Sequence, residues 1–279
     1  MLVSSKELYK IAEENNFAIP ATNFIDLDSA RTYVETAEKL KKPLILAFAE
    51  SHMGLISLEE AALIGKYLAE KSKMPVVLHL DHGETEEVIK KAIELGFSSV
   101  MIDASRDSIE ENIRKTKSIV EYAHSKNVVV EAEIGHVGSG VNYETPEETD
   151  SIYTEVEDAI RFVEETNVDS LAVSIGTAHG FYKGTPKINF ERLAEIHEAV
   201  SVPLVLHGGS SSGDENLEKC ATSGISKINI FTDFLTAAIQ KINAEKPEDY
   251  IQLKGMANTG MEETLTHYIN VIHTEEVNN

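Results

Sequence analysis

Short apolar runs alternate with longer amphipathic segments along nearly the whole chain of 279 residues, and this alternation constrains the fold most strongly. In the longer segments, apolar residues recur every three or four positions, which is typical of helices that pack one face against a sheet. Strands that alternate with helices form right-handed βαβ units, whose strands lie parallel. The predicted strands are 18–23, 43–49, 76–81, 98–103, 128–134, 170–174, 204–207 and 226–230. The predicted helices that follow them are 29–40, 58–71, 85–95, 109–126, 155–165, 189–200, 215–223 and 232–244.

Eight strand–helix units in a chain of this length predict an α/β fold, the (β/α)8 TIM barrel. We expect extra helices near the N- and C-termini, over 4–15 and 261–274, and a single domain over 1–279. A doubly wound parallel sheet is the alternative. Its nucleotide-binding form usually carries G-x-G-x-x-G after the first strand, and the first predicted strand here is not followed by that motif.

The charge balance limits the partners of this chain. It carries 47 acidic and 25 basic residues, a formal net charge of −22, whereas nucleic acid binding needs a basic surface. The apolar runs are too short to span a membrane, and the stretch MLVSSKELYK lacks the apolar core of a signal peptide. The single cysteine, Cys220, cannot form an internal disulfide. We therefore expect a cytoplasmic protein that binds neither nucleic acid nor a membrane.

Ionisable residues collect where the predicted strands end. The third strand ends in LHLDHG, which contains Asp81 and His82, while His179 follows the sixth strand and His207 ends the seventh. The carboxyl ends of barrel strands meet on one face, so side chains that are distant in sequence become neighbours there. Taken singly, a histidine at a strand end is more often a structural residue held by a hydrogen bond than a metal ligand. Together, three histidines on one face favour a catalytic zinc ion, which takes three protein ligands and leaves one position open.

Two loops at the same face have the composition of a phosphate-binding cradle. The stretch HGGSSSG begins at the end of the seventh strand, and NIFT ends the eighth. Glycines let the backbone approach an anion closely, and N–H groups near a helix start can donate to it. A Gly/Ser run by itself is usually only a turn. The pairing of two such loops, in the positions where this fold commonly binds phosphate, favours a phosphate site.

Taken together, these residues resemble those of the class II, metal-dependent fructose- and tagatose-bisphosphate aldolases. The resemblance runs through PATN, HLDHGET, SVMIDAS, VEAEIG, SLAVSIGTAHGFYKGTP, VPLVLHGGS and KINI, in this order and over nearly the whole chain. No single motif is specific, whereas the ordered set at barrel spacing is. The chain is most similar to the shorter, tagatose-bisphosphate aldolase-like branch.

The resemblance implies roles for the residues at the strand ends. Zinc would be held by the residues that match the family ligands, His82, His179 and His207, and would polarise the carbonyl of dihydroxyacetone phosphate. Asp81 matches the residue that protonates the aldehyde oxygen during condensation and deprotonates the hydroxyl during cleavage.

Further positions follow from the same resemblance. Asp103 and Glu133 match residues that support the metal ligands or offer an alternative metal position. The positions that match substrate and phosphate contacts are Asn23, Gly180, Lys183, Gly208, Gly209, Ser210, Asn229, Ile230, Phe231 and Thr232. A monovalent cation, Na+ or K+, often lies beside that phosphate. The resemblance also implies a homodimer or homotetramer.

Three stretches differ from the family pattern. Ala49 ends the second strand, where the family usually has Ser or Thr. The glutamate that removes the substrate proton is missing from its usual place after the fifth strand, so Glu144 is our candidate base and Glu147 the second. The loop over 137–149 is rich in glycine and polar residues, and we expect it to be mobile without substrate and to close over it. The stretch KPEDYIQLKGMANTG contains Lys254 but lacks the arginine that commonly binds the distal phosphate.

Three functions are compatible with these observations. The first is a metal-dependent aldolase that reversibly cleaves a ketose 1-phosphate or 1,6-bisphosphate to dihydroxyacetone phosphate and an aldehyde. The second is a degenerate, non-catalytic sugar-phosphate-binding subunit of an aldolase complex, which Ala49 and the missing glutamate would suit. The third is a metal-dependent epimerase or isomerase, which would need a second acid/base group facing the substrate. Asp81 beside a complete set of histidines favours the aldolase.

Overall fold

The computed structural model of the protein describes residues 1–143 and 152–277. Its strands are β1 (Ile19–Asn23), β2 (Leu44–Ala49), β3 (Val76–Gly83), β4 (Ser99–Ile102), β5 (Val129–Ile134), β6 (Ser139–Tyr143), β7 (Ser170–Val173), β8 (His179–Tyr182), β9 (Leu204–Leu206) and β10 (Ile225–Ile230). Its α-helices are α1 (Ser5–Asn15), α2 (Leu27–Leu40), α3 (Leu58–Lys71), α4 (Glu86–Leu95), α5 (Ile109–His124), α6 (Val156–Thr166), α7 (Phe190–Ala199), α8 (Asp214–Thr222), α9 (Thr232–Glu245) and α10 (Tyr250–Val271).

Eight parallel strands close into a barrel in the order β1-β10-β9-β7-β5-β4-β3-β2. β1 closes it by pairing with β2 on one side and with β10 on the other. This confirms the TIM barrel and excludes the doubly wound sheet. The predicted strands six, seven and eight correspond to β7, β9 and β10.

The strands and helices have clear local causes. Most barrel strands are buried along their whole length, as expected for parallel strands covered by helices on one face and by the barrel interior on the other. α2 begins with a capping box in which the side chains of Asp26 and Ser29 bond to each other's backbone N–H groups. Gly96, in the left-handed conformation, ends α4.

The observed bounds of the barrel strands and of the helices agree with the predicted ones to within two residues, except at the last helix. α10 begins at Tyr250, eleven residues before the predicted start at 261, because the N-cap Asp249 accepts from the N–H of Gln252 at 2.8 Å. The segment before residue 261 contains Gly255 and Gly260, which weaken a helix in isolation. At Gly260 the helix packs directly on α9, because a Cβ there would lie 2.6 Å from the carbonyl oxygen of Ala237.

A short 3-10 helix, Glu50–Gly54, and a separate two-stranded parallel sheet of β6 and β8 were also not predicted. Each strand of that sheet has one partner that is distant in sequence, so neither shows a local pattern of its own. Within the described ranges, no helix is both long and apolar enough to cross a membrane.

Candidate active site

A bulge near the end of β3 brings two adjacent side chains to the mouth of the barrel. Neighbouring residues of a regular strand point to opposite faces. Here the pairing of β3 with β4 shifts between Leu80 and Gly83, and His82 has a left-handed backbone with a φ of 45°. Gly83 has no room for a side chain, because a Cβ would lie 2.4 Å from the carbonyl oxygen of Met101. Because the pairing shifts and His82 has a left-handed backbone, Asp81 and His82 both line the same cavity instead of facing opposite sides of the strand.

Three histidines from three different strand ends meet in this cavity. His82 lies near the end of β3, His179 begins β8, and His207 directly follows β9. One ring nitrogen from each lies within 4.8 Å of the others, and Nε2 of His82 is 2.9 Å from Nδ1 of His207. Two nitrogens bound to a tetrahedral zinc at about 2.0–2.1 Å would be roughly 3.3 Å apart. The three side chains therefore fit a zinc ion after only a small separation of these two rings.

The hydrogen bonds of His207 fix which of its nitrogens faces the other histidines. Its Nε2 lies 2.9 Å from Oε1 of Glu131, whose two oxygens also accept from the ammonium of Lys227 at 2.8 and 2.7 Å. Burial opposes the ionisation of Glu131, but Lys227 and His207 lower its pKa to about 2. An ionised carboxylate can only accept, so Nε2 of His207 carries the proton. Nδ2 of Asn229 lies 3.3 Å from Nδ1 of His207 and can only donate, so Nδ1 keeps its lone pair. The same lone pair accepts from Nε2–H of His82.

Without a metal, His82 is therefore an imidazolium. Its Nδ1 donates to Oδ2 of Asp103 at 2.7 Å while its Nε2 donates to His207, so both nitrogens carry protons. Burial lowers the pKa of His82, but the charge of Asp81 and the bond to Asp103 outweigh it and raise the pKa to about 10. Burial, together with His82 and His207, lowers the pKa of His179 to about 3, so His179 is neutral. A zinc ion must displace one proton from this cluster.

The carboxylate of Asp81 is held by two amides. Nδ2 of Asn23 donates to Oδ2, and Nδ2 of Asn229 donates to Oδ1, each at 2.9 Å. Burial raises the pKa of Asp81, but the neighbouring His82 and His207 outweigh burial and hold this pKa below its usual range. A fixed, ionised carboxylate beside the histidines can accept a proton from a hydroxyl group and return it.

A second acidic group adjoins the histidines. His82, Asp103 and Glu133 also bring one possible ligand atom each within 4.8 Å of one another. Ser105 donates its N–H and O–H to Oδ1 of Asp103 at 3.1 and 2.7 Å, so its oxygen accepts from Nδ1–H of His136 at 2.9 Å. Asp103 and Glu133 thus lie beside the candidate metal ligand His82.

A fully buried layer of charge lies below the cavity. Lys227, which bonds to Glu131, also lies 3.2 Å from Nε2 of His79, and Nδ1 of His79 is 2.8 Å from the hydroxyl of Ser99. Burial and the charge of Lys227 lower the pKa of His79 to about 3. Sequence reasoning assigned no role to Lys227. The signal that could have found it is a lysine at the centre of the apolar strand ISKINI.

Glycines form one wall of the predicted phosphate cradle. Gly208 has a φ of 68°, and a Cβ there would lie 2.5 Å from the carbonyl oxygen of Ala178. The N–H of Gly209 donates to the carbonyl oxygen of Asn229 at 3.0 Å, and a Cβ would lie 2.7 Å from that oxygen. Gly209 therefore lets the loop pack directly on β10, and its N–H is already used. Gly180 and Gly208 line the cavity.

The start of α9 forms the other wall. The hydroxyl of Ser210 accepts from the N–H of Phe231 at 3.0 Å, and Thr232 is the first residue of the helix. All three line the cavity, and N–H groups at a helix start favour a bound anion. Ile230 is fully buried in the hydrophobic core, and Lys183 is exposed in the turn after β8. Neither of these two residues lines the cavity.

The cavity that joins these groups has a volume of about 390 Å³. Its lining also includes residues that sequence reasoning did not single out for the site, namely Ser51, His52, Glu84, Arg106 and His136. Each lies shortly after a barrel strand ends, at the carboxyl end of β2, β3, β4 or β5. That position is the signal that could have found them.

The candidate bases Glu144 and Glu147 lie outside the described residues. The loop predicted over 137–149 contains a strand in its first part, because Ser139–Tyr143 form β6. Its mobility and its closure over substrate stay predictions. β6 pairs in parallel with β8, and the N–H of His179 donates to the carbonyl oxygen of Gly138 at 2.8 Å. This pairing ties the backbone of a candidate metal ligand to the segment that follows β5.

Comparisons with known proteins bear on the family and the fold of this chain. A family model described as fructose-bisphosphate aldolase class-II matches residues 3–276. Among solved structures, the YdjI aldolase from Escherichia coli K12 is 33% identical, with 98% of each chain covered and a TM-score of 0.89. A candidate fructose-1,6-bisphosphate aldolase from Coccidioides immitis is 27% identical over 96% of this chain and 95% of that one, with a TM-score of 0.86.

A more distant structure shares the fold. The fructose-bisphosphate aldolase from Campylobacter jejuni is 23% identical, and the match covers 99% of this chain and 97% of that chain with a TM-score of 0.83.

Proposed function

Because the chain belongs to the class-II fructose-bisphosphate aldolase family, which its match over residues 3–276 establishes, we propose that it is a zinc-dependent aldolase. Its reaction is the reversible cleavage of a ketose 1-phosphate or 1,6-bisphosphate to dihydroxyacetone phosphate and an aldehyde. The observation that carries the proposal is the meeting of His82, His179 and His207 with the carboxylate of Asp81 in one cavity. A metal site with a proton carrier beside it favours catalysis over binding alone.

The residues of the chain orient the groups around the metal site. A zinc ion held by the three histidines would supply a Lewis acid that draws electron density from the ketose carbonyl. Glu131 keeps Nδ1 of His207 facing the site, and Asp103 orients the ring of His82. Such partners of metal-binding histidines usually raise metal affinity by fixing ring and tautomer.

Asp81 carries a proton in both directions of the reaction. In cleavage, its carboxylate accepts the proton of the C4 hydroxyl as the bond between C3 and C4 breaks and the aldehyde forms. The electron pair of that bond passes to the triose half, whose C3 then gains a proton to give dihydroxyacetone phosphate. In condensation, it returns that proton to the aldehyde oxygen. The amides of Asn23 and Asn229 hold both carboxylate oxygens in place for these transfers.

The cradle would bind the phosphate of the triose half. Gly208 and Ser210 approach it from the loop after β9, and Phe231 and Thr232 from the start of α9. Because the cradle, the histidines and Asp81 line one cavity, we propose that a ketose whose phosphate lies in the cradle binds with C2 near the histidines and C4 near Asp81.

A retro-aldol screen tests the proposal. The zinc-loaded protein is given phosphorylated forms of fructose, tagatose and sorbose, and dihydroxyacetone phosphate is trapped by coupled reduction. Asp81→Asn should lower turnover by about a hundredfold or more, the usual effect of a lost general acid/base, and should retain zinc. Asp107→Asn, an exposed carboxylate paired with Lys115, is the matched control and should keep full activity. Absence of trapped triose from every ketose would refute the aldolase.

The base that exchanges a proton with C3 of the triose is Glu144 in our proposal, with Glu147 second. Glu144→Gln should slow the exchange of that proton between dihydroxyacetone phosphate and heavy water, while zinc content stays unchanged. Wild-type exchange in both Glu144→Gln and Glu147→Gln would assign the step to another group. The monovalent cation, the homodimer or homotetramer and the cytoplasmic location stay predictions.

A further inference from the structure

The segment after β2 places a histidine in the cavity that the proposed function does not yet use. His52 lies in the 3-10 helix Glu50–Gly54, which directly follows β2, and its side chain lines the cavity. Ala49, the last residue of β2, lines the same cavity but has no hydrogen-bonding side chain. His52 therefore brings to this side of the cavity a ring that can donate or accept a hydrogen bond.

Aromatic contacts hold this ring against the phosphate cradle. The centroids of the His52 and Phe231 rings are 4.7 Å apart, and their planes are inclined by 39°. A second, edge-on contact joins His52 to Phe48 with the ring centroids 6.3 Å apart. Both separations are typical of favourable ring pairs. Because Phe231 directly precedes α9 and lines the cavity, His52 lies beside the wall of the cradle that the start of α9 forms.

The order of the barrel strands explains how a residue after β2 reaches the cradle. In the closed barrel, β1 alone separates β2 from β10, and the end of β10 leads into α9. Arg106, the only lysine or arginine among the described residues that line the cavity, follows β4, which is four strands away from β10 in either direction. A phosphate in the cradle therefore has the ring of His52 as a neighbour on the side of β1 and β2.

The backbone that carries His52 is tied to the loop after β3. The carboxylate of Glu50 accepts from the N–H of Glu84 at 2.7 Å, and from the N–H and the hydroxyl of Thr85 at 3.3 and 3.0 Å. Thr85 is the N-cap residue of α4, so Glu50 joins the 3-10 helix to the start of α4. This attachment fixes the position from which His52 reaches the cavity.

The hydrogen-bonding capacity of the His52 ring is unused within the described part of the chain. Its Nδ1 is buried and has no partner there, whereas Nε2 is not buried in this way. The rings of His82, His136 and His207 in the same cavity are each bonded to a side chain. Buried polar groups without a partner are rare, and a functional role, a water or an ion usually explains them. Burial lowers the pKa of His52, so its ring is neutral and has one N–H to donate.

From these contacts we propose that His52 is a substrate-binding residue, whose imidazole N–H donates to the phosphate that lies in the cradle. This inference rests on the proposed aldolase function and adds to it a donor from the segment after β2. The contact with Phe231 orients that donor. His52→Phe would keep the ring contact and lose the hydrogen bond, whereas His52→Gln would lose the ring and keep an N–H donor.

Steady-state kinetics with a cleaved ketose 1-phosphate separate binding from chemistry. His52→Phe should raise KM by about tenfold or more, the effect of losing a hydrogen bond to a charged group, and should leave kcat nearly unchanged, because Asp81 carries the proton. His52→Gln should recover part of the KM, and both variants should keep their zinc. The matched control is His267→Phe, because His267 is an exposed histidine whose ring also packs on an aromatic side chain, that of Tyr268; it should keep the wild-type KM. A fall in kcat with an unchanged KM in His52→Phe would overturn the inference.

A binding measurement separates this inference from the aldolase function itself. Calorimetric titration of the zinc-loaded protein with glycerol 3-phosphate reports on the phosphate contact without turnover, and glycerol is the reference without a phosphate. Binding of glycerol 3-phosphate that His52→Phe weakens about tenfold or more, in a protein that cleaves no ketose phosphate, would refute the aldolase and support the role of His52. Equal binding by the wild type and His52→Phe, in a protein that does cleave ketose phosphates, would refute the role of His52 alone. A wild-type protein that does not prefer glycerol 3-phosphate to glycerol would also overturn the inference.

Discussion

Zinc binding should release about one proton per chain near pH 7.5, and His82 should supply it. The hydrogen bonds give the count. Without a metal, both nitrogens of His82 carry protons, and its raised pKa of about 10 keeps them bound. His179 is neutral, and His207 keeps its proton on the nitrogen that faces Glu131. Only the proton between His82 and His207 lies where the metal must bind.

The size of the pH effect follows from the same count. Because one proton competes with zinc at every pH below about 10, the apparent affinity for zinc should rise about tenfold for each pH unit. Between pH 6 and pH 8 this amounts to about a hundredfold, or about 2.7 kcal/mol at 1.36 kcal/mol per unit. Asp103→Asn removes the charge and weakens the bond that raise the pKa of His82, so this variant should release less than one proton and show a shallower slope.

The assay is calorimetric titration of the metal-free protein with zinc in buffers that differ in ionisation enthalpy, because the slope of observed enthalpy against ionisation enthalpy counts protons. Asp107→Asn, in the same turn but paired with Lys115, serves as the control and should match the wild type. A slope of zero would refute the charged state of His82. A slope of two would refute the lone pair assigned to Nδ1 of His207, because a second histidine of the cluster would then also lose a proton.

Two further predictions concern stability. Lys227→Met should lower the free energy of unfolding by about 3–5 kcal/mol in chemical denaturation, because it leaves the buried carboxylate of Glu131 uncompensated. The double variant that also carries Glu131→Gln should recover much of this loss. Absence of any recovery would contradict the pairing of Lys227 with Glu131. The metal-free protein should lose stability as pH rises from about 6.5 to about 10. The pKa of His82 is higher in the folded than in the unfolded chain, so the contribution of its charge to folding stability is complete below pH 6.5 and disappears above pH 10. If the melting temperature of His82→Gln falls with pH as much as that of the wild type, another group causes the effect.

The barrel could be predicted because its evidence is local. Each unit combines an apolar run with a helix-period segment, and the order of units fixes the topology once parallel pairing and right-handed crossovers are assumed. β6 and β8 could not be predicted in this way, since each gains its hydrogen bonds from the other across more than thirty residues of chain. The early start of α10 was missed for a similar reason, because Gly260, which weakens a helix in isolation, is where this helix packs directly on the distant α9.

The positions of His82, His179 and His207 could be inferred because strand ends meet on one face of a barrel, but their protonation could not. It depends on Glu131 and Lys227, which come from β5 and β10 and become neighbours only when the barrel closes. In sequence, each interrupts an apolar strand and has no visible partner. In the folded chain they form a buried ion pair, and that pair dictates which nitrogen of His207 faces the site. We therefore expect the affinity for zinc and its dependence on pH to be set in part by these two residues, which lie below the cavity and outside its lining.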